Sequence, residues 1–447
     1  MSFFLTAQRN RYWPLISMLA MPQADQSKLA TLLADRVRTA AEAEMVAEFV
    51  DLSKVIELAL YNIRKLDGYG QLEQLLSESA ASRESKRLAR QALATRVIVH
   101  TAATDGAIIK GNALARYYED PAMRHRGDVD VWYPSAEGAM ALVSRLWDDD
   151  ACWQWDRTEL PWLKWDEDEP YGQFKIRREI PGSGTAMKVD IHYGGFSVGH
   201  LGLLPVRGFE KAAVDGVPVQ VPVPENDIAI LVAHASGDSY TSLKDLNDLS
   251  QIVAGRNVDW DEVYRSCEQA VLAPVLNWLL GLVRERSGPA GLPAVEKRPA
   301  RPLPLLDASK WERAVLTART AYADVRQQGG PLSAAKSAGS ALRYYTTDLS
   351  VRTAGSSSRE RFDRSRAVCW RLVPEPVWRP LLADPSEEVN CRAAGSLLPG
   401  MEILRADQDW VVRHRDEVLI PTVSGRIPLG ALRLASSVSS LDAGGQG

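Results

Sequence analysis

Apolar positions in the first hundred residues recur at helical spacing. Leu29, Leu32, Leu33 and Val37 fall on one face, as do Val46, Phe49, Val50 and Val55, so residues 1–95 read as a helical segment. Asp67-Gly-Tyr-Gly70 breaks the pattern. A helix is then expected from Ser82, with Glu84 in its first turn, through Leu88, Ala92 and Val97 to Thr104. Gly106 stands just past it, where a left-handed residue commonly closes a helix. The period then shortens. Ile108-Ile109 reads as a short strand, Asn112 to Tyr118 as a short helical run, Asp120-Pro121 as a turn, and Asp128 to Tyr133 as a second strand. Ser135 caps a helix to about Trp147. Gly172–Ile180 and Ala186–Tyr193 alternate as the arms of a hairpin around Pro181-Gly-Ser-Gly-Thr185.

Val217 to Val223 is a further short strand, and helices are expected over 224–234, 242–253 and 260–287. Residues 289–305 are proline-rich and read as a linker. Helical patterns return at Lys310–Gln327 and Leu332–Leu349, and short strands at Glu402–Leu404, Trp410–His414 and Glu417–Pro421. The fold class is therefore α/β (α+β): a small mixed sheet with helical segments on both sides and a C-terminal α+β part over 306–436. Residues 437–447, rich in Ser and Gly, are expected to be disordered.

Length changes the picture only by suggesting two or three domains for 447 residues. The hydrophobic share of 45% and charged share of 25% are those of a globular protein. A net charge of −4 gives no global drive towards nucleic acid, so no nucleic-acid partner is expected. The most apolar run, Val271 to Val283, is broken by Pro274, Asn277 and Gly281 and is too short to span a bilayer, so no membrane partner is expected. Cys152, Cys267, Cys369 and Cys391 are far apart and read as free thiols of a cytoplasmic protein.

The candidate chemistry lies on two strands. Asp128 and Asp130 alternate with Val129 and Val131, so both carboxylates leave one side of their strand. Paired carboxylates repel one another, and a hard divalent cation relieves this. On the later strand Lys188, Asp190 and His192 share a face, opposite Met187, Val189, Ile191 and Tyr193. Three other clusters read as structural. Asp148-Asp149-Asp150 follows a helix and is expected in solvent. The tryptophans from Trp132 to Trp165 are expected beneath a loop, with the wall of an acceptor pocket as the alternative. The arginines between 352 and 366 are interrupted by acids and read as a solvated face.

Lys110-Gly111, Asp120-Pro121, Arg124, Gly127, Asp128-Val129-Asp130 and Asp190-Ile191-His192, in that order, resemble the signature of a family of bacterial uncharacterised nucleotidyltransferases. That family is similar to the DNA polymerase beta-like superfamily, and the likeness spans roughly Arg96 to Gly255. The resemblance implies a nucleotidyltransferase core over 96–223, with 1–95 packing on it and a helical segment at 224–288. It implies transfer of a nucleoside monophosphate from an NTP to a hydroxyl-type acceptor, with two Mg²⁺ ions on Asp128, Asp130 and Asp190. Lys110, Gly111, Asn112, Arg124, Arg126, Lys188 and His192 would then serve the nucleotide, Asn112 standing where many superfamily members carry Ser. The acceptor would be a small molecule, a peptide or a protein. Two alternatives share the fold: an antitoxin-like protein that adds AMP to a protein partner, and a non-catalytic nucleotide- or peptide-binding module.

Overall fold

The computed structural model describes residues 2–293 and 370–444, except 23, 157–160, 167–168, 198–202, 238–242, 271, 288–290, 383–388, 390, 407–408, 423–426 and 428. The expected helices at 310–349, the arginine cluster, Cys369 and most of the linker lie outside these residues.

Five helices open the chain: α1 (Ser2–Leu19), α2 (Gln26–Arg36), α3 (Ala40–Leu52), α4 (Ile56–Ile63) and α5 (Gly70–Ala103). Local chemistry sets their starts. The Asp25 side chain accepts from Ser27 N and Lys28 N, and Thr39 with Glu42 forms a reciprocal capping box. Helix α5 begins at Gly70, not at Ser82. At its end the left-handed residue is Asp105, with φ +53°, rather than Gly106. Gly106 is needed for another reason: a Cβ there would lie 2.5 Å from the Tyr133 ring.

The core follows as β1 (Ala107–Ile109), α6 (Lys110–Leu114), β2 (Val129–Tyr133), α7 (Ala136–Asp149), β3 (Gln154–Trp155), β4 (Trp162–Asp166), β5 (Glu169–Ile180) and β6 (Thr185–Tyr193). Next come β7 (Phe196–Ser197), β8 (Leu203–Leu204), β9 (Phe209–Val214) and β10 (Val217–Pro222), then α8 (Pro224–Gly237), α9 (Leu243–Gly255), α10 (Trp260–Gln269) and α11 (Ala273–Ser287). After the undescribed stretch come β11 (Trp370–Val373), α12 (Glu375–Trp378), β12 (Arg392–Leu398), β13 (Met401–Ala406), β14 (Asp409–His414), β15 (Glu417–Thr422) and α13 (Leu429–Gly444). Residues 437–444 thus continue a helix where composition suggests disorder.

Thirteen of the described strands form one mixed sheet, ordered β12-β13-β14-β15-β11-β4-β5-β6-β2-β1-β10-β9, with β3 against β5. The pairs β2–β6 and β1–β10 are parallel, and the others are antiparallel. The C-terminal strands therefore extend the sheet through β11 on β4, rather than standing apart. This pairing covers the hydrogen-bonding edge that β4 would otherwise expose.

One face of the sheet carries Ile108, Val129, Val131, Phe174, Val189 and Ile191, packed against α7 and the second half of α5. On the other face Ala107, Ile109 and Trp132 join a helical core built from α1–α4 and α8–α11. The N-terminal helices thus pack on the helical segment after the sheet, and both lean on β1 and β2. Three tryptophans of the Trp-rich stretch, Trp132, Trp153 and Trp155, are buried, and Trp155 contacts Phe174, Trp147 and His414, as a structural role requires. The three consecutive aspartates are not simply solvated. Asp148 pairs with Arg415, Asp149 with Arg96, and Asp150 with Arg178. No helix among the described residues is long and apolar enough to cross a membrane.

The β4–β5 contact admits no side chain at Gly172. A Cβ there would meet the Trp162 carbonyl oxygen at 2.3 Å and the Tyr193 hydroxyl at 2.7 Å. Gly172→Ala is expected to lower stability by about 1–3 kcal/mol, the usual cost of forcing extra volume into a packed site. Urea unfolding measures this, and an unchanged midpoint would show that the strands separate freely.

Candidate metal centre

Parallel pairing of β2 with β6 places Asp130 directly beside Asp190, and Val129 beside Val189. Their side chains leave the sheet on the face opposite the α7 core. His192, two residues on, shares that face. Single ligand atoms from Asp130, Asp190 and His192 lie within 4.8 Å of one another, and all three residues are buried.

The antiparallel pairing of β5 adds two residues that sequence reasoning missed. Lys175 stands opposite Asp190, and Gln173 opposite His192. Asp190 Oδ2 accepts from Lys175 Nζ at 2.9 Å and from Gln173 Nε2 at 3.1 Å. Asp190 Oδ1 is buried and has no hydrogen-bond partner among the described residues. The register could have been counted from the hairpin, because Ile180 opposite Thr185 fixes every pair back to Lys175.

Lys110 provides the second cation. Its Nζ donates to Asp130 Oδ1 at 2.9 Å and to His192 Nε2 at 3.2 Å. Lys110 itself takes φ +50°, so the left-handed residue of the turn is the lysine and not Gly111. That backbone costs roughly 1–3 kcal/mol for a residue with a Cβ, and such strain gathers at functional sites. Phe196 roofs the cluster, stacked on His192 at 4.7 Å and facing the Lys110 ammonium at 5.1 Å.

Charge placement separates the two aspartates. Burial alone raises a carboxyl pKa, but the Lys110 ammonium and then His192 beside Asp130 reverse this and hold it well below the usual carboxylate range. Asp190 is pushed up by burial and by the neighbouring Asp130 and Asp128 carboxylates, against the pull of Lys175. His192 is pushed down to about 4 by burial and by Lys110, so its imidazole is neutral at neutral pH.

Other residues expected at the site have different surroundings. Asp128 precedes β2, is half-buried and does not belong to the three-residue cluster. It lines a cavity of about 390 Å³ with Arg90, Gly127, Arg177 and Lys188. Lys188 pairs with the buried Asp156 at 2.8 Å. Asn112 is buried and donates to the Asp128 carbonyl at 2.9 Å, which holds the start of β2. Gly111 has Arg124 Nη1 as its nearest neighbour, 3.5 Å from where a Cβ would stand. Arg124 is not open to a triphosphate: it is buried, and its Nε and Nη2 each reach Asp248 at 2.7 Å. Arg126 pairs with Asp215 at 2.7 Å.

The donor set could hold one divalent cation. It offers two carboxylates, one of them with an orphaned oxygen, and one neutral imidazole. Lys175→Met removes the charge that opposes burial at Asp190, so Asp190 is expected to hold its proton to higher pH. Half-maximal Mn²⁺ binding should then move to higher pH than in the unaltered protein. An unchanged profile would show that Lys175 exerts no electrostatic hold on the site.

Comparison with known proteins adds three findings. The model of a family described as "Uncharacterised nucleotidyltransferase" matches residues 39–288, more than half of the chain. The matched span takes in α3–α11 and β1–β10. No curated protein matches. The crystal structure of an antigenic nucleotidyltransferase-like protein from Paracoccidioides brasiliensis matches 42% of this chain and 91% of its own, at 15% identity and a TM-score of 0.25. A likeness that loose fixes neither fold nor activity.

Proposed function

The chain belongs to the uncharacterised nucleotidyltransferase family, and from that premise we propose that it transfers a nucleoside monophosphate from an NTP to a hydroxyl-type acceptor and releases pyrophosphate. The observation that carries this reading is the buried trio of Asp130, Asp190 and His192 within 4.8 Å, with one carboxylate oxygen unpartnered among the described residues. Asp130, Asp190 and His192 would hold one Mg²⁺, and Asp128 at the mouth would complete a second position shared with the triphosphate. Bound there, the metal supplies charge neutralisation on the phosphates.

The chain's own residues supply the rest. Asp130 stays ionised because Lys110 stabilises its charge. The acceptor oxygen forms a bond to the α-phosphorus, the bond from that phosphorus to the bridging oxygen breaks, and the hydroxyl proton passes to Asp190. A carboxylate whose proton affinity is raised by burial suits that last task. Lys175 and Gln173 fix the orientation of Asp190, and Phe196 excludes water from His192 and Lys110. Little covalent chemistry is asked of the protein, and positioning and electrostatics do most of the work.

The reading is tested by incubating the protein with all four NTPs and Mg²⁺ together with candidate acceptors, followed by mass spectrometry. An acceptor heavier by one nucleoside monophosphate is the expected result. NTPs that remain intact with every small-molecule, peptide and protein acceptor offered would count against it.

A further inference from the structure

Outside the carboxylate cluster, the sequence places Arg83, Lys86, Arg87 and Arg90 at i, i+3, i+4 and i+7 on α5. That spacing puts four cations on one helix face. They line a cleft of about 640 Å³ together with Arg64 beyond α4 and Arg126 of the turn before β2. Seven guanidinium and ammonium groups line the cleft against four carboxylates. Five are already engaged: Arg64 by Glu73, Arg83 by Asp51, Arg87 by Glu84, Arg124 by Asp248 and Arg126 by Asp215. Among the described residues, Lys86 and Arg90 have no carboxylate partner.

The cleft borders the cavity that contains Asp128. Arg90 donates to the Gly127 carbonyl and also lines the cavity that contains Asp128. Its α5 wall runs from Ser79 to Arg90, roughly 16 Å at the helical rise. A ligand lying along this wall would have one end beside Asp128 and the other against the outer cations. His125, in the same lining, is pushed down to about 3 by burial and by Arg83, Lys54, Arg124 and Lys244, in keeping with positive surroundings.

We propose that this cleft is the acceptor site, and that the acceptor carries a phosphate or comparable polyanionic group at the end remote from its reacting hydroxyl. The assignment to an acceptor rests on the transfer reading above, whereas the anion site rests on the cleft alone. Guanidinium and ammonium groups on one face bind phosphate oxygens by charge-assisted hydrogen bonds.

The test uses the full chain, with inorganic phosphate as the probe, titrated by ³¹P line broadening without and with a saturating non-hydrolysable ATP analogue and Mg²⁺. Phosphate is expected to bind in both conditions and to weaken as ionic strength rises. Lys86→Gln with Arg87→Gln should weaken phosphate by about tenfold, equivalent to about 1.4 kcal/mol, while the analogue's affinity stays within about twofold. An unchanged thermal midpoint keeps the comparison free of folding effects. Phosphate affinity that is unaltered in the double variant would overturn the anion site. Complete displacement of phosphate by the analogue would overturn the acceptor assignment, because the cleft would then hold the NTP's own phosphates. Failure of the analogue to bind the unaltered protein would remove the transfer reading and the acceptor assignment with it, and the phosphate arm would still decide on the anion site.

Discussion

Asp130→Asn is expected to abolish tight Mn²⁺ binding and to lower nucleotidyl transfer by roughly 100-fold or more, the scale on which losing a preorganised electrostatic group reduces turnover. Asn keeps the shape of the side chain, so the sheet and the α7 core should persist. What changes is charge. Asp130 carries the anion that Lys110 and His192 surround, and Asn offers a neutral amide in its place. Stability should respond with a definite sign. The Asp130 carboxyl is held below its ordinary value in the fold, so it stabilises the native state above the unfolded pKa of about 4. That contribution is lost as pH falls through the lower folded value. The variant should therefore be less stable than the unaltered protein at pH 7, by a margin that narrows in acid. Mn²⁺ titration by electron paramagnetic resonance, with melting curves at both pH values, measures the two effects. Full-strength metal binding in the variant would remove Asp130 from the site.

Arg124→Met is expected to give the largest loss of stability, about 3–5 kcal/mol, the range for breaking one side of a buried ion pair. Arg124 grips Asp248 through two bonds of 2.7 Å, and the Tyr118 hydroxyl donates to the same carboxylate at 2.8 Å. The side chains of Arg124 and Asp248 are 5% and 0% exposed, so the remaining carboxylate cannot reach water without local opening. This pair ties the turn before β2 to α9 and thereby holds the strand that carries Asp130. Replacing both partners, Arg124→Met with Asp248→Leu, should recover much of the loss, because no buried charge is left alone. Urea unfolding of the two single variants and the double variant gives the coupling directly. A single variant within about 0.5 kcal/mol of the unaltered protein, the usual margin for surface changes, would contradict the assignment.

Strand periodicity made much of this arrangement legible. The alternation over Asp128–Tyr133 and Ala186–Tyr193 marks which residues share a face, and the turn residues between Ile180 and Thr185 mark the hairpin. What alternation lacks is the identity of neighbouring strands. Lys175 is one polar residue among several on β5 until the hairpin register sets it against Asp190. Arg124 looks like a phosphate ligand in sequence because nothing local announces Asp248, 124 residues away. The start of α5 is marked by Leu72 and Leu76, buried and four residues apart, but Asp67-Gly-Tyr-Gly70 reads as a break although Gly70 is the first residue of the helix. The β9–β10 hairpin carries a readable signal of its own. Asp215-Gly216, with φ of +48° and +81°, is a tight hairpin turn of the Asp-Gly kind.

Isothermal titration of the unaltered protein with a non-hydrolysable NTP analogue, with and without Mn²⁺, tests most directly whether the Asp130–Asp190–His192 trio is a nucleotide-handling metal centre. Binding that requires the metal, and that disappears together with metal binding in Asp130→Asn, is the result this structure leads us to expect. Nucleotide binding of equal strength without metal, or none under either condition, would contradict it.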